Sequence, residues 1–141
     1  TFWRRTSPYP SLVTFDAPSR EFCVVRRSRS NTPLQALVTL NDPAFVACAR
    51  AFARRVIEEA PSDDGARIEH AFRLATARRP APDERARLAK LLASERAHFA
   101  SARDDAAKLV ATPAGDDAPE LAAWTMLAHV LLNLDEVLVK R

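Results

Sequence analysis

The chain has 141 residues, of which 48% are hydrophobic and 28% are charged, and this balance is typical of a one-domain globular protein. Its two glycines exclude a Gly-rich loop for a nucleotide phosphate, and its two cysteines form neither a zinc motif nor a haem-attachment motif. The net charge is +3, and the longest apolar run, residues 121–134, is too short to span a membrane.

The first 30 residues predict an extended N-terminal arm. They have no helical period, and they carry three prolines and five scattered aromatic residues. The apolar piece Phe22–Val25 favours a short strand within the arm. Since so many aromatic side chains require cover, we expect the arm to pack on the helices or on a missing upstream region. Thr1, in place of an initiator Met, indicates a cut inside a longer chain.

Two capped helices are predicted next. Thr32, Pro33 and Gln35 form a capping box with proline at the first helical position. Asp42 and Pro43 then end this helix and start a second one that runs to about residue 59. The residues expected to face the core from this pair are Leu34, Leu37, Val38, Leu40, Phe45, Val46, Ala49, Phe52, Ala53, Val56 and Ile57.

Three more helices are predicted after the turn at residues 61–65. They cover roughly residues 65–78, a stretch from Pro82 that fades between residues 103 and 111, and a C-terminal segment that Asp117 and Glu120 open with capping-box spacing. Their expected core residues are Ile68, Ala71, Phe72, Ala75, Leu88, Leu91, Leu92, Phe99, Leu121, Trp124, Leu127, Ala128, Leu131, Leu132 and Leu138.

The predicted fold class is therefore all-α, an irregular bundle of about five helices with an extended, aromatic-containing N-terminal arm. We divide the chain into the arm, residues 1–30, which continues from the upstream region, and the helical bundle, residues 31–141. Cys48 sits among small apolar residues and is predicted to be a core residue. Cys23 and Cys48 either form one disulfide or remain two thiols.

Several strings along the chain resemble a known family. They are Phe15–Glu21, Asn31–Leu37 (Asn-Thr-Pro-Leu-Gln-Ala-Leu), Leu40–Pro43, Ala71–Leu74 and Leu132–Glu136, in this order. Together they resemble the DUF1553 family, also called planctomycete-specific domain 1, and the chain corresponds to the C-terminal part of that domain. The string at residues 31–37 is the most specific of them.

No activity is established for the DUF1553 domain itself, so the resemblance implies only the kind of protein to which the chain belongs. It implies a larger exported protein, periplasmic or at the cell surface, with upstream domains that are DUF1549-like and in some cases cytochrome-c-like. Such upstream domains are the expected partners. This chain lacks Cys-x-x-Cys-His, so no cofactor is predicted within it.

One candidate anion-binding site precedes the first predicted helix. Arg26, Arg27, Arg29, Asn31 and Thr32 place guanidinium groups beside the exposed N–H groups of a helix start, an arrangement that suits a phosphate, sulfate or carboxylate. In the alternative interpretation the arginines pair internally and pin the arm to the bundle. The acids available for that pairing are Asp16, Glu21, Asp42, Asp135 and Glu136.

The sequence contains no catalytic signature, and His70, His98 and His129 lie on different predicted helices without metal-ligand spacing, so neither a catalytic nor a metal site is predicted. The favoured hypothesis is a helical structural or interaction module at the C-terminus of a larger protein. A second hypothesis is part of an enzyme active site that binds an anionic or polysaccharide substrate through the arginines. Nucleic-acid binding is a third, weakened by the acids interleaved with the basic residues.

Overall fold

A computed structural model describes residues 7–19, 21–26, 30–111, 115 and 117–139. These residues form eight helices: α1 (Pro10–Thr14), α2 (Pro33–Asn41), α3 (Pro43–Glu59), α4 (Asp64–Thr76), α5 (Pro82–Ser101), α6 (Arg103–Val110), α7 (Ala118–Leu132) and α8 (Asp135–Leu138). The predicted all-α fold is confirmed. No helix in these ranges is both long enough and apolar enough to cross a membrane.

Helix α7 is the centre of the bundle. It packs against α3, α5 and α6 and also contacts α4 and α8. Nine of its fifteen residues are buried, among them Trp124, Leu127 and Leu131. The neighbouring helices bury Ala49, Ala53, Val56, Ile68, Ala71, Phe72, Leu88, Leu92, Phe99, Ala106 and Val110 around it. The predicted core faces of the later helices are therefore largely correct.

Capping accounts for the starts of α2 and α3. Thr32 is extended and accepts the Gln35 N–H, while Asp42 accepts the Ala44 N–H at 2.8 Å with Pro43 at the first helical position. Both predicted helix starts are confirmed, as is the break between them. The end of α3 at Glu59 also agrees with the prediction.

Three short helices were missed by the sequence reasoning. One is α8, because the predicted C-terminal helix included Leu138, whereas Leu134 is extended (φ −66°, ψ 142°) and separates α8 from α7. Helix α1 has five residues, which is too few to show a helical period, and it lies inside the predicted arm. Helix α6 is separated from α5 by Ala102, whose φ of −112° and ψ of 56° are not helical. This break turns the chain so that Ala106 and Val110 are buried with α7, and packing thus overrides the helix propensity of alanine.

Three local predictions are wrong. Phe22–Val25 does not form a strand, and Cys48 is exposed on α3. The capping box before α7 is absent, because Asp117 has helical angles (φ −82°, ψ −14°) where a capping side chain requires an extended backbone. The Glu120 carboxylate of that box accepts instead from Arg96 of α5 and from the Trp124 indole of α7 itself.

Candidate interaction surface

The capping box of α2 fixes the start of this helix on both sides. The Thr32 N–H donates to Gln35 Oε1 at 2.9 Å, and the Gln35 N–H donates to Thr32 Oγ1 at 3.3 Å. Pro33 has no N–H, so these two bonds satisfy most of the first-turn donors. The predicted capping box is present in full.

The Gln35 side chain also fastens the arm to α2. It is only 2% exposed, and its Nε2 donates to the Thr14 carbonyl at 2.8 Å and to Ser30 Oγ at 3.0 Å. Ser30 in turn donates its N–H and its O–H to one oxygen of Asp16, at 2.9 and 2.6 Å. A part-buried polar network therefore holds the arm in place. It makes Gln35 the residue around which α2 is oriented.

The chain segment after α7 holds the other side of α2. Asn31 Nδ2 donates to Asp135 Oδ1 at 2.8 Å, and the Thr39 hydroxyl lies 2.9 Å from the side-chain oxygen of Asn133. Thr39 is buried. Two of the strings on which the family resemblance rests, residues 31–37 and 132–136, are thus in direct contact.

These polar contacts turn the leucines of α2 away from the bundle. Leu34, Leu37 and Leu40 are 56%, 58% and 42% exposed, so their predicted place in the core is wrong. Successive helix residues are about 100° apart, which puts the three leucines in an arc of about 120° opposite Gln35 and Thr39. We call Leu34, Leu37 and Leu40 the α2 surface.

Helix α3 has small apolar residues on the outward face of its first half. Ala44, Ala47, Cys48 and Ala51 are exposed at i, i+3, i+4 and i+7, while the same face of the second half carries charged residues. These charged residues are Arg54, Arg55, Glu58 and Glu59. The outward face of α3 next to α2 therefore lacks the charges that normally face water.

The arm places one aromatic residue on the bundle and leaves others in solvent. The Phe15 ring packs against Phe45 of α3, with ring centroids 5.9 Å apart. Phe22, Val24 and Val25 are exposed. The expectation that the arm packs on the helices is confirmed for Phe15, whereas residues 22–25 remain uncovered apolar chain.

Two residues of the predicted anion site, Asn31 and Thr32, form hydrogen bonds within the protein. Arg26 is exposed, and Arg27 and Arg29 lie outside the described residues. Asn31 and Thr32 are engaged with Asp135 and Gln35. Within the described part of the chain, the Leu34 N–H is the one first-turn backbone donor without an acceptor. The anion site therefore stays a prediction.

Three of the acids proposed as internal partners of those arginines have partners in the described ranges. Asp16 accepts from Ser30, and Asp42 caps α3. Glu136 binds Arg78, which also binds Glu84 and lies 4.6 Å above the centre of the Phe72 ring. Hydrogen bonds from Arg78 lower the pKa of the Glu84 carboxyl to about 2.

A second arginine cluster joins three helices at the opposite end of α7. Arg96 of α5 binds both carboxylate oxygens of Asp64 on α4, and its Nε lies 2.7 Å from Glu120 Oε2 on α7. The Trp124 indole N–H donates to Glu120 at 2.8 Å. Hydrogen bonds from Arg96 lower the pKa of Asp64 and of Glu120. Sequence spacing gave no signal for this cluster.

The three histidines have different surroundings. His70 lies 3.3 Å from Glu59 Oε2, and the His98 ring packs edge-on against Phe99. His129 is buried in α7, its Nε2 has no hydrogen-bond partner among the residues that the structure describes, and burial lowers its pKa. Within the described part of the chain, no group of three His, Cys, Asp or Glu residues is placed to hold a metal ion.

Fold and surface together define a small all-α domain with an uncovered apolar helix face. Residues 1–92 match the model of the family PSD1, described as "Protein of unknown function (DUF1553)". Since the match covers more than half of the chain, the chain belongs to the DUF1553 family. The contact residues at 133–135 lie beyond the matched range. No curated protein and no solved structure matches the chain.

Proposed function

We propose that this chain is a helical interaction module, and that its α2 surface packs against another domain of a larger protein. The observation that carries the proposal is the orientation of α2, which buries Gln35 and Thr39 and exposes three leucines. An ordinary surface helix has the reverse arrangement, because burial of leucine is favourable and burial of glutamine requires hydrogen bonds.

The energetics favour a covered α2 surface. Full burial of a leucine side chain contributes about 1.5–3 kcal/mol, so covering three half-exposed leucines would contribute roughly 3 kcal/mol. The polar network around Gln35 holds α2 in this orientation before any partner binds. A surface that is already ordered avoids the entropy cost of ordering on association.

The uncovered apolar residues also extend beyond α2. The small residues of the first half of α3 and the exposed Phe22, Val24 and Val25 supply apolar area without charge. Depletion of charge is characteristic of the buried centre of a protein interface. The family resemblance favours an upstream domain of the same polypeptide as the partner, in a protein exported from the cytoplasm.

Photo-cross-linking in the protein as its host expresses it tests this proposal. A photoreactive amino acid at position 37 should form a cross-link to a segment outside residues 1–141 of the same polypeptide. The same group at Ala93, an exposed position on α5, serves as the matched control. Equal yields at positions 37 and 93 would contradict the proposal, as would a cross-link from position 37 only to a second copy of this chain.

A double variant provides a second measurement. Leu34→Asp with Leu37→Asp should reduce that cross-link, recorded from the photoreactive group placed at Leu40, without lowering the melting temperature of the isolated chain, since both side chains are exposed. A large fall in melting temperature would mean that the leucines support the fold itself, and the proposal would lose its main support.

A further inference from the structure

A groove lies between the second half of α3 and the start of α7, at the opposite end of the bundle from Asn133. It has a volume of about 370 Å3, near the low end of the range of about 300–1,000 Å3 for ligand pockets. Its lining consists of Arg54, Ile57, Glu58, Asp117, Glu120 and Leu121. This groove is separate from the α2 surface and does not rest on the function proposed for it.

The groove combines an apolar floor with a carboxylate rim. Ile57 and Leu121 supply aliphatic surface, while Glu58 and Asp117 are exposed at the edge. Arg54 lies four residues before Glu58, yet no ion pair joins them in the described structure. The Glu58 carboxylate is therefore available to a charge that enters from outside.

Behind the groove, most of the charged groups have partners, although the buried Nε of Arg67 has none among the described residues. Glu120 accepts from Arg96 and from the Trp124 indole, and Arg96 is shared with Asp64. Arg67 reaches the Ile57 carbonyl at 3.4 Å. Taken together, the groove and its backing contain three arginines and four carboxylates, so the local charge is negative although the chain as a whole carries +3.

This chemistry disfavours other occupants. Phosphate and other anions would meet the carboxylates at the rim. A purely apolar side chain would take water away from Glu58 and Asp117 without replacing its hydrogen bonds. Lysine and arginine side chains satisfy both features, because their methylene stems pack on apolar surface while the charged head stays at the polar edge.

We propose that the groove between α3 and α7 receives a lysine or arginine side chain of a partner protein. The stem lies on Ile57 and Leu121, and the charged head lies between Glu58 and Asp117. Arg54 at the same rim opposes the incoming charge and weakens the contact. The two carboxylates therefore attract the incoming charge, and Arg54 reduces the affinity that results.

Peptide titration of the ¹⁵N-labelled chain tests the proposal. A short peptide with lysine between two leucines should shift the amide resonances of Ile57, Glu58 and Leu121. A matched peptide with norleucine in place of lysine should bind about threefold more weakly, in line with the modest contribution of an exposed ion pair. Equal affinity of the two peptides, or no shift at these amides with millimolar lysine peptide, would overturn the proposal.

Three protein variants make the test specific. Glu58→Gln with Asp117→Asn should weaken the lysine peptide about threefold, while Arg54→Ala should strengthen it about twofold. Asp104→Asn on α6 removes an exposed carboxylate elsewhere and should leave binding unchanged. Weaker binding of the lysine peptide to Arg54→Ala would mean that Arg54 attracts the peptide rather than opposes it, and would contradict the proposal. Tighter binding of spermidine than of the peptide would indicate a polyamine site and contradict it equally.

Discussion

Helices α2 and α7 are both rich in leucine, but they present these residues in opposite ways. In α7 the leucines at 127 and 131 lie in the core beneath α3, α5 and α6. In α2 the leucines face solvent, and a glutamine and a threonine face the protein. The difference shows that the partners of the polar side chains decide which side of a short helix is buried. The spacing of apolar residues alone does not determine which side is buried.

The largest expected effect comes from the core side of this comparison. Leu127→Ala should lower the free energy of unfolding by about 2–5 kcal/mol, because a fully buried leucine leaves a cavity when it is truncated. Urea denaturation measures the change. Val130→Ala, at an exposed position of the same helix, is the matched control and should change the stability by less than about 0.5 kcal/mol.

Two opposite substitutions in α2, glutamine to leucine and leucine to glutamine, test whether the polar network orients this helix. Gln35→Leu should lower the free energy of unfolding by about 1–3 kcal/mol, because it leaves the Thr32 N–H and the Thr14 carbonyl without their partner. The reverse change at the adjacent exposed position, Leu34→Gln, should have little effect in the same denaturation experiment. If Gln35→Leu stabilised the chain, the polar network would not be what orients α2.

His129 is the polar exception within α7 and predicts a pH dependence. Burial lowers the pKa of folded His129 below its usual value of 6.5. The unfolded chain then binds a proton more readily than the folded chain does, so stability is full above pH 6.5 and declines as the pH falls below it.

Denaturation at pH 8 and at pH 5.5 measures this dependence. His129→Leu should reduce the loss of stability between the two pH values, whereas His98→Gln at an exposed site should not. An identical loss in the chain and in His129→Leu would show that other groups cause it. The Glu84 carboxyl, with a pKa of about 2, acts at lower pH and does not interfere in this range.

The smallest effect is expected on the exposed side of α2. Leu37→Ala should change the free energy of unfolding of the isolated chain by less than about 0.5 kcal/mol, because its side chain is more than half exposed. The same substitution should weaken the proposed domain contact, which the cross-linking yield from a photoreactive group at Leu40 reports. A destabilisation as large as that of Leu127→Ala would erase the distinction between the two helices.

Local signals in the sequence predicted the starts of helices well. Thr32, Pro33 and Gln35 determine the start of α2 within four residues, and Asp42 with Pro43 does the same for α3. Such signals require no knowledge of the rest of the fold. The core faces of α3, α4 and α5 also followed from periodicity, since these helices are long enough to define one apolar side.

Features that depend on distant residues were not accessible in this way. The break at Ala102 exists because α6 has to reach α7, and no local residue marks it. Arg96 joins Asp64 and Glu120, which are 32 and 24 residues away, so their pairing follows only from the packed bundle. The exposure of the α2 leucines also depends on distant residues, because contacts to Thr14 and Asn133 orient the helix. Gln35 was correctly predicted as a capping residue, but its bond to Thr14 was not.

The contact between Asn31 and Asp135 also orders events during synthesis. The two residues are 104 positions apart, and α7, the centre of the core, follows α1 to α6 in chain order. A ribosome adds about 5–20 residues per second, so α3, α4 and α5 wait for seconds before α7, their common packing partner, emerges. During that interval residues 31–37 lack their contact with Asp135, which has not yet been synthesised. The core of this domain therefore packs only after α7 has left the ribosome.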